Sequence, residues 1–216
     1  NIQFEKTLVS TGTNYEGIHT MENAAFEFEN ETWGKLLVIA FEFAPRDEAL
    51  DWARQLIESD RFKNHTVIIL THSFLLNNGE RIVNEGYKLT PRNWAQAVWD
   101  KLVYPSKNIK LVLCGHTGTP PQMNDSEKVN YHTTTACRVD PAADGHKVVQ
   151  MMFNSQSGDG SWNGNGGDCW LRILEFKPDG KTIGIRTFSP LFALSRRTQH
   201  MAWRTDAYDQ FSITIE

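Results

Sequence analysis

Cysteine, net positive charge and long apolar runs are all scarce in this sequence, and each shortage excludes a class of protein. The three cysteines, Cys114, Cys137 and Cys169, stand in no CxxC spacing. The sequence therefore indicates neither a thiolate zinc site nor a disulfide framework, although one bridge with one free thiol stays open.

Charge and hydropathy narrow the range of partners. Lysine and arginine total 22 against 26 aspartate and glutamate, which gives a formal net charge of -4. No basic stripe is present for a phosphate backbone, so we expect no nucleic-acid partner. No apolar run approaches the roughly 18 to 20 residues of a membrane span, and the N-terminus lacks the pattern of a signal peptide. We therefore expect a soluble protein whose signal peptide, if any, has been removed.

Length and composition predict a single domain over residues 1–216. With 216 residues and 40% apolar content, the chain can bury one sizeable core. Three glycosylation sequons, at Asn30, Asn64 and Asn124, matter only if a eukaryote secretes the protein. The compartment is left open, with a secreted or periplasmic location favoured over the cytoplasm.

The first half of the chain alternates apolar strand-like runs with helical repeats. Such alternation is typical of parallel strands joined by helices, so we predict a mixed α/β (α+β) fold. The predicted elements are a hairpin of strands at 24–30 and 35–43, a helix capped by Asp47 and ending at 58, a strand at 66–70, a helix at 92–103 and a strand at 109–114. The second half reads as short strands at 148–153, 170–176, 182–187 and 210–215, with a turn at 177–180.

Two histidines follow buried strands in the same way. His72 comes just after the run TVIIL, and His116 just after IKLVLC. The carboxyl ends of parallel strands meet at one edge of a sheet, where α/β proteins bind ligands. Neutral imidazoles suit zinc, iron and similar ions, and two of them need carboxylate partners to complete a shell. A single histidine after a strand is more often a loop residue, and the other histidines are interpreted as solvated side chains.

Longer stretches of the sequence resemble a known family. The runs VIILTHS, LVLCGH, VVQMMFNSQ, WLRILEF, IRTFSP and TDAYDQFSI resemble calcineurin-like metallophosphoesterases of bacterial type, and the resemblance spans most of the chain from Leu36 onward. The resemblance implies a β-sandwich core flanked by helices, with a dinuclear site for zinc, iron or manganese at the strand ends. It implies that His72 is the lone histidine ligand and that His116 is the first histidine of a GHxH motif.

The same resemblance implies a substrate and residues that bind it. The protein would hydrolyse the phosphomonoester or phosphodiester of a small phosphorylated substrate. The resemblance also implies that Asn154, Gln156 and Trp162 line the substrate cleft.

Two departures from the family pattern limit what this chain can do alone. Gly118 stands where the second GHxH histidine belongs, so the site would be altered or mononuclear. The DxH, GDxx and GNHD/E motifs have no match in residues 1–42, so the catalytic residues are expected upstream and the N-terminal part of the sheet is expected to be missing. We expect this segment alone to be inactive, and a further chain or segment to complete the sheet.

The sequence gives weaker support to other classes of function. A non-catalytic interaction or carbohydrate-binding domain on the same scaffold stays open, because the chain has seven tryptophans. Most of these tryptophans are better explained as core residues, since Trp52 and Trp94 lie on apolar helix stripes. A serine hydrolase is disfavoured because no GxSxG elbow is present.

Overall fold

The computed structural model describes residues 2–90, 92–117, 135–155 and 166–215. The helices there are α1 (Ile2–Thr7), α2 (Asp47–Glu58), α3 (Ala95–Val98), which continues as a π turn (Trp99–Val103), and α4 (Pro190–Ala193). The strands are β1 (Leu8–Thr13), β2 (His19–Asn30), β3 (Gly34–Ala40), β4 (Thr66–Leu70), β5 (Ile109–Cys114), β6 (Thr135–Pro141), β7 (Lys147–Phe153), β8 (Leu171–Phe176), β9 (Thr182–Phe188), β10 (Trp203–Arg204) and β11 (Phe211–Thr214). Short 3-10 turns lie at Gly166–Cys169 and Gln199–Met201.

The larger sheet has seven strands in the order β1-β2-β3-β4-β5-β7-β6. Strands β3, β4, β5 and β7 run parallel, with Ile39 opposite Ile69 and Leu113 opposite Met151. Antiparallel strands close both sides, β2 and β1 beyond β3 and β6 beyond β7. Four parallel strands therefore point their carboxyl ends at one edge of this sheet.

The smaller sheet is antiparallel and is built around β9. Strand β8 pairs along one side of β9, while β11 and β10 pair with successive parts of it. The predicted turn at 177–180 joins β8 to β9, and the Gly180 backbone has a φ of +71°, a conformation that side chains disfavour.

Both faces of the larger sheet are covered, which explains the nearly continuous apolar runs in its central strands. On one face, Leu50, Ala53 and Ile57 of α2 pack with Ile39 and Ile69. On the other face, the buried residues of the two sheets form a second cluster: Ile68, Leu111, Val149, Met151, Ile183, Ile185, Ile213 and Ile215. The layers are thus helices, larger sheet and smaller sheet. The predicted mixed α/β class is confirmed.

Several predicted elements are confirmed, with two changes at helix starts. The β2–β3 hairpin, α2, β4, β5 and the strands of the second half are present close to the predicted bounds. Asp47 is not the cap of α2, because the capping residue is Arg46, and the Asp47 carboxylate instead accepts hydrogen bonds from Asn93 and Lys101. The helix predicted at 92–103 begins at Ala95, as α3, rather than at Arg92. Two hydrogen bonds from Asn93 to the Pro45 carbonyl hold Asn93 outside the helix.

Other elements were not predicted. Strands β1 and β6 carry Ser, Thr, Gly, Asp and Pro, which weaken a strand pattern, and both depend on pairing with a neighbour. All three cysteines are free, so the alternative of one disulfide bridge is wrong. None of the helices in the described ranges is long and apolar enough to cross a bilayer.

An apolar groove runs between the two sheets where the smaller sheet does not cover the larger one. Its volume is about 420 Å³. Phe28 and Leu70, which line it, are 45% and 46% exposed. The groove reaches the edge of the sheet that carries the histidines. Of the residues that line it, Leu70 is the last residue of β4, and Leu113 is the second-last residue of β5.

Candidate functional site

The structure brings His72 and His116 together at the carboxyl edge of the larger sheet. Each histidine lies two residues beyond the end of its strand, His72 after β4 and His116 after β5. These strands are adjacent and parallel, and the centroids of the two imidazole rings lie 4.7 Å apart. The convergence expected from the sequence is present, while the role of the pair as metal ligands stays a prediction.

Backbone hydrogen bonds hold the two histidine loops against each other. The Gly115 amide donates to the His72 carbonyl at 3.0 Å, which continues the ladder beyond the strands. A Cβ atom on Gly115 would lie 3.3 Å from the Phe153 carbonyl oxygen, so a larger residue would push β7 away from β5. The close approach of these three strand ends therefore favours a glycine here.

His116 adopts a backbone conformation that is unusual for a residue with a side chain. Its φ is +66°, in the left-handed region. The Asn154 side chain donates to the His116 carbonyl at 2.8 Å and so holds this conformation from the end of β7. Strained residues of this kind persist where surrounding contacts enforce them, and they cluster at functional sites.

An aromatic wall lines one side of the histidine pair. The centroid of the Phe43 ring lies 5.4 Å from that of His72 and 5.7 Å from that of His116. Tyr87 and Trp94 pack on Phe43 with centroid distances of 5.2 and 5.9 Å. Burial and the neighbouring His116 lower the pKa of His72 below its usual value. This shift favours the neutral form of His72, which is the form that binds metals.

The sequence analysis missed a carboxylate beside the pair. The Glu85 side chain is only 12% exposed, and one of its oxygens, Oε2, lies 3.4 Å from Nε2 of His116. The other oxygen accepts a hydrogen bond from the Ser73 hydroxyl at 2.5 Å. Oε2 is buried and has no hydrogen-bond partner. Glu85 lies in a polar stretch without strand or helix periodicity, so no sequence pattern marks it.

The remaining predicted site residues are only partly within the described ranges. Asn154 lies at the site, through its contact with the His116 backbone. Gln156, Trp162 and Gly118 lie outside the described residues. Within the described part of the chain, no group of three or more His, Cys, Asp or Glu residues is arranged to hold a metal ion. The described residues bring one carboxylate close to the two imidazoles, but these three side chains are not arranged to hold a metal ion.

Two other histidines, which the sequence analysis interpreted as solvated side chains, are largely buried and hydrogen-bonded. His65 is 3% exposed and hydrogen-bonds Glu27 at 2.8 Å. His146 contacts the Ile109 carbonyl at 2.9 Å and lies against Asp144. His65 thus contacts β2, and His146 contacts the first residue of β5. Both histidines therefore contribute to the packing of the fold and lie away from the strand-end site.

Comparisons with known proteins assign no family. No family model matches the chain. Over 208 residues, or 94% of this chain, the sequence is 21% identical to an uncharacterized protein, YvnB, of Bacillus subtilis strain 168. The aligned region makes up only 14% of that protein, so the chain spans about one seventh of the relative's length. The name of this relative describes no activity.

Proposed function

We propose that this chain is the histidine-bearing part of a metal-dependent phosphoester hydrolase of the calcineurin-like metallophosphoesterase type. The observation that carries the proposal is the pair of His72 and His116, which follow adjacent parallel strands with ring centroids 4.7 Å apart. The layered arrangement of helices on a sheet that packs on a second sheet supports the same proposal, because it suits a sandwich core flanked by helices.

The donor atoms of the pair fit a transition metal such as zinc, iron or manganese. Imidazole nitrogens are common ligands of these ions, and a neutral His72 has a lone pair to offer. Two imidazoles are only part of a shell, and the described residues contain no group of three ligands. The remaining ligands would therefore come from another segment or another chain.

A bound metal would supply Lewis acidity toward a phosphoryl oxygen and an activated water for attack on phosphorus. The residues of this chain would bind and orient. The Phe43 ring against both imidazoles limits their movement and excludes water from one side. Asn154, which donates to the His116 carbonyl, would line the substrate cleft next to the histidine pair, and the resemblance assigns Gln156 and Trp162 to the same cleft.

The apolar groove offers a binding surface for the segment or chain that would supply the missing metal ligands. Its lining is apolar, and Leu70 and Leu113 lie two and three residues before the proposed ligands. We propose that the segment or chain that supplies the missing ligands buries this groove. Covering Leu70 and Phe28, which are nearly half exposed, would contribute hydrophobic free energy to that association.

Metal content tests the ligand pair. Elemental analysis of a longer chain that carries the missing motifs, with intact mass taken on the same sample, is expected to find zinc, iron or manganese that is lost in His72→Ala and His116→Ala, whereas the 216-residue chain alone is expected to hold little metal. His200→Ala is the matched control, since His200 is an exposed histidine on a 3-10 turn outside the site. Equal metal content in all three variants would contradict the assignment of the pair as ligands.

Hydrolysis tests the proposed activity. With p-nitrophenyl phosphate and bis(p-nitrophenyl) phosphate, we expect no turnover by the 216-residue chain and turnover by a longer chain that carries the DxH, GDxx and GNHD/E motifs. The activity of the longer chain should be lost in His116→Ala. A longer chain that retains activity without His116, or that hydrolyses neither compound, would overturn the proposal.

The non-catalytic alternative makes a different prediction for the same samples. An interaction or sugar-binding domain would bind no metal, whichever segments were added. Sugar binding needs an exposed aromatic face, and the described tryptophans offer little of one. Trp99 and Trp170 are buried, and Trp203, at 40% exposure, packs on Phe188 with a centroid distance of 4.5 Å.

A further inference from the structure

Strand β8 forms an open edge of the smaller sheet. It pairs with β9 along one side, and no strand within the described ranges pairs with its other side. The Lys177 amide donates to the Thr182 carbonyl at 2.9 Å, so these two residues, which continue the β8–β9 ladder, are a hydrogen-bonded pair. Such pairs alternate along an antiparallel ladder. The backbone N–H and C=O groups that point away from β9 are therefore those of Arg172, Leu174 and Phe176.

The apolar groove lies directly beside this open edge. Leu174 and Phe176 are the residues of the smaller sheet that line it, and its other lining residues come from β2 to β5 and the turn before β3. In this lining β9 has no residue, since its Ile183 and Ile185 are fully buried between the two sheets. The uncovered part of the larger sheet thus begins where β8 ends the smaller sheet. One more strand, about 4.8 Å beyond β8, would lie over the groove.

The outer strands of the larger sheet carry features that discourage further pairing, whereas β8 does not. Strand β1 has two register shifts in its pairing with β2. Strand β6 ends at Pro141 and carries the charged pair of Arg138 and Asp140. Strand β8, with the sequence LRILEF, keeps a continuous register and contains no proline. Bulges, prolines and charges commonly protect sheet edges, and an apolar edge that lacks them is a template for another strand.

We propose that a β-strand from polypeptide outside residues 1–216 adds to the open edge of β8 and buries the apolar groove. The backbone of this strand would pair with the outward groups of Arg172, Leu174 and Phe176. Its alternate apolar side chains would pack on Phe28 and Leu70, which are nearly half exposed. The inference rests on the proposed function for the existence of a completing segment, but it holds whether or not the histidine pair binds a metal.

A single strand fits this edge better than a second copy of the chain. Antiparallel pairing of β8 with β8 of a second copy would place the two larger sheets in one layer. Each larger sheet extends beyond β8 through β3 and β2, so the two sheets would occupy the same space. Parallel pairing would turn the second copy over and place its Glu175 on the apolar groove. In the Bacillus subtilis relative the aligned region is 14% of the protein, which leaves ample further chain to supply a strand.

Amide hydrogen exchange, resolved to single residues, tests the added strand directly. In the 216-residue chain, the amides of Arg172, Leu174 and Phe176 should exchange faster than those of Ile173 and Glu175, which face β9. In a longer chain that carries the DxH, GDxx and GNHD/E motifs, exchange at the three outward amides should slow to the rates of their two neighbours. A helix or an apolar small molecule in the groove would not produce this pattern, because neither pairs with a strand edge.

A charge in the groove should remove this protection. Phe28→Glu in the longer chain should return the outward amides to the fast exchange of the 216-residue chain, because the added strand would bury the carboxylate. Phe28 is 45% exposed in the 216-residue chain, so the glutamate stays in water there and thermal unfolding checks that the fold survives. Leu70→Glu, at a position 46% exposed, covers the case in which the Phe28 variant does not fold. Val139→Glu is the matched control, since Val139 is an exposed residue of β6 at the far edge of the same sheet.

The outcomes separate this inference from the proposed function. Fast exchange of the outward amides in the longer chain, or protection retained in Phe28→Glu, would overturn the added strand. Slow exchange already in the 216-residue chain would also overturn it, since the edge would then be covered without a further segment. Protected amides in a longer chain that hydrolyses neither phosphoester would support the strand and count against the hydrolase. Turnover with unprotected amides would support the hydrolase and overturn the strand.

Discussion

Buried charges near the strand-end edge depend on their exact partners. The Glu42 carboxylate, just after β3, accepts hydrogen bonds from Arg46 at 2.8 Å and from Asn23 at 3.0 Å. Arg46 in turn donates to the Thr13 carbonyl at 2.7 Å. The side chains of Arg46 and Glu42 are only 11% and 16% exposed. This network ties together the ends of β1, β2 and β3 next to Phe43.

Arg46→Met should destabilise the protein by roughly 3–5 kcal/mol, because it leaves the Glu42 charge buried without its main partner. Arg54→Met, which breaks the more exposed pair with Asp51, should cost no more than about 1 kcal/mol. Urea denaturation at pH 7 measures both. Equal losses in the two variants would show that the Glu42 network contributes no more than a surface ion pair.

The same network predicts a dependence on pH. Burial raises the pKa of Glu42, but hydrogen bonds from Arg46 and Asn23 outweigh burial and bring this pKa below its ordinary value of 4.5. A carboxyl whose folded pKa is depressed stabilises the protein above its unfolded pKa, and this stabilisation is lost as the pH falls through the folded pKa. The free energy of unfolding of Glu42→Gln should therefore decline less below pH 4.5 than that of wild type. Urea denaturation of both proteins from pH 7 to pH 3 measures this difference. If the free energy of unfolding falls equally with pH in both, Glu42 is not involved.

At the scale of elements, one arginine anchors the segment that carries Glu85. Arg81 lies 3.6 Å from the centroid of the Trp99 ring, donates to Gln150 at 2.8 Å and pairs with Asp140. Burial lowers the pKa of Arg81 to about 10, so the guanidinium stays protonated at neutral pH. These contacts connect the 71–94 segment to the π turn after α3 and to β6 and β7.

Replacing Arg81 with methionine should loosen this segment specifically. The loss of charged hydrogen bonds should cost about 2–3 kcal/mol, and amide hydrogen exchange within residues 71–94 should accelerate. Arg61→Met is the control, because Arg61 is 59% exposed and pairs with Glu27 of β2, far from β6 and β7 in the strand order. Acceleration spread evenly over the whole chain would show that Arg81 serves global stability instead.

At the scale of the whole molecule, stability depends on the contact between the two sheets. Ile185 of β9 is fully buried in the cluster that also contains Leu111 and Met151 of the larger sheet. Truncating such a side chain removes buried apolar area and leaves a cavity that the neighbouring layers cannot fill completely.

Ile185→Ala is expected to cost roughly 2–5 kcal/mol, with calorimetry still showing one unfolding transition because the two sheets share a core. Leu194→Ala should have almost no effect, since Leu194 is 86% exposed. Two separate transitions in the Ile185 variant would show that the smaller sheet is stabilised independently of the larger one.

In the larger sheet, sequence patterns predicted the central strands and missed the two edge strands, β1 and β6. The runs before His72 and His116 are apolar and β-branched, so the strands and the convergence of their ends could be expected. Strands β1 and β6 carry no such run, and their strand structure depends on pairing with β2 and β7. Edge strands of mixed composition have too weak a local preference to be recognised alone.

The sequence by itself determined the mixed α/β class and the position of two histidines after parallel strands, because both follow from local periodicity and apolar runs. Only the tertiary structure decided which side chains surround that pair. Glu85 reaches His116 because the 71–94 segment folds back over the strand ends, and Phe43 reaches both imidazoles from the end of a third strand. Such contacts join residues far apart in the chain, so packing rather than local pattern places them.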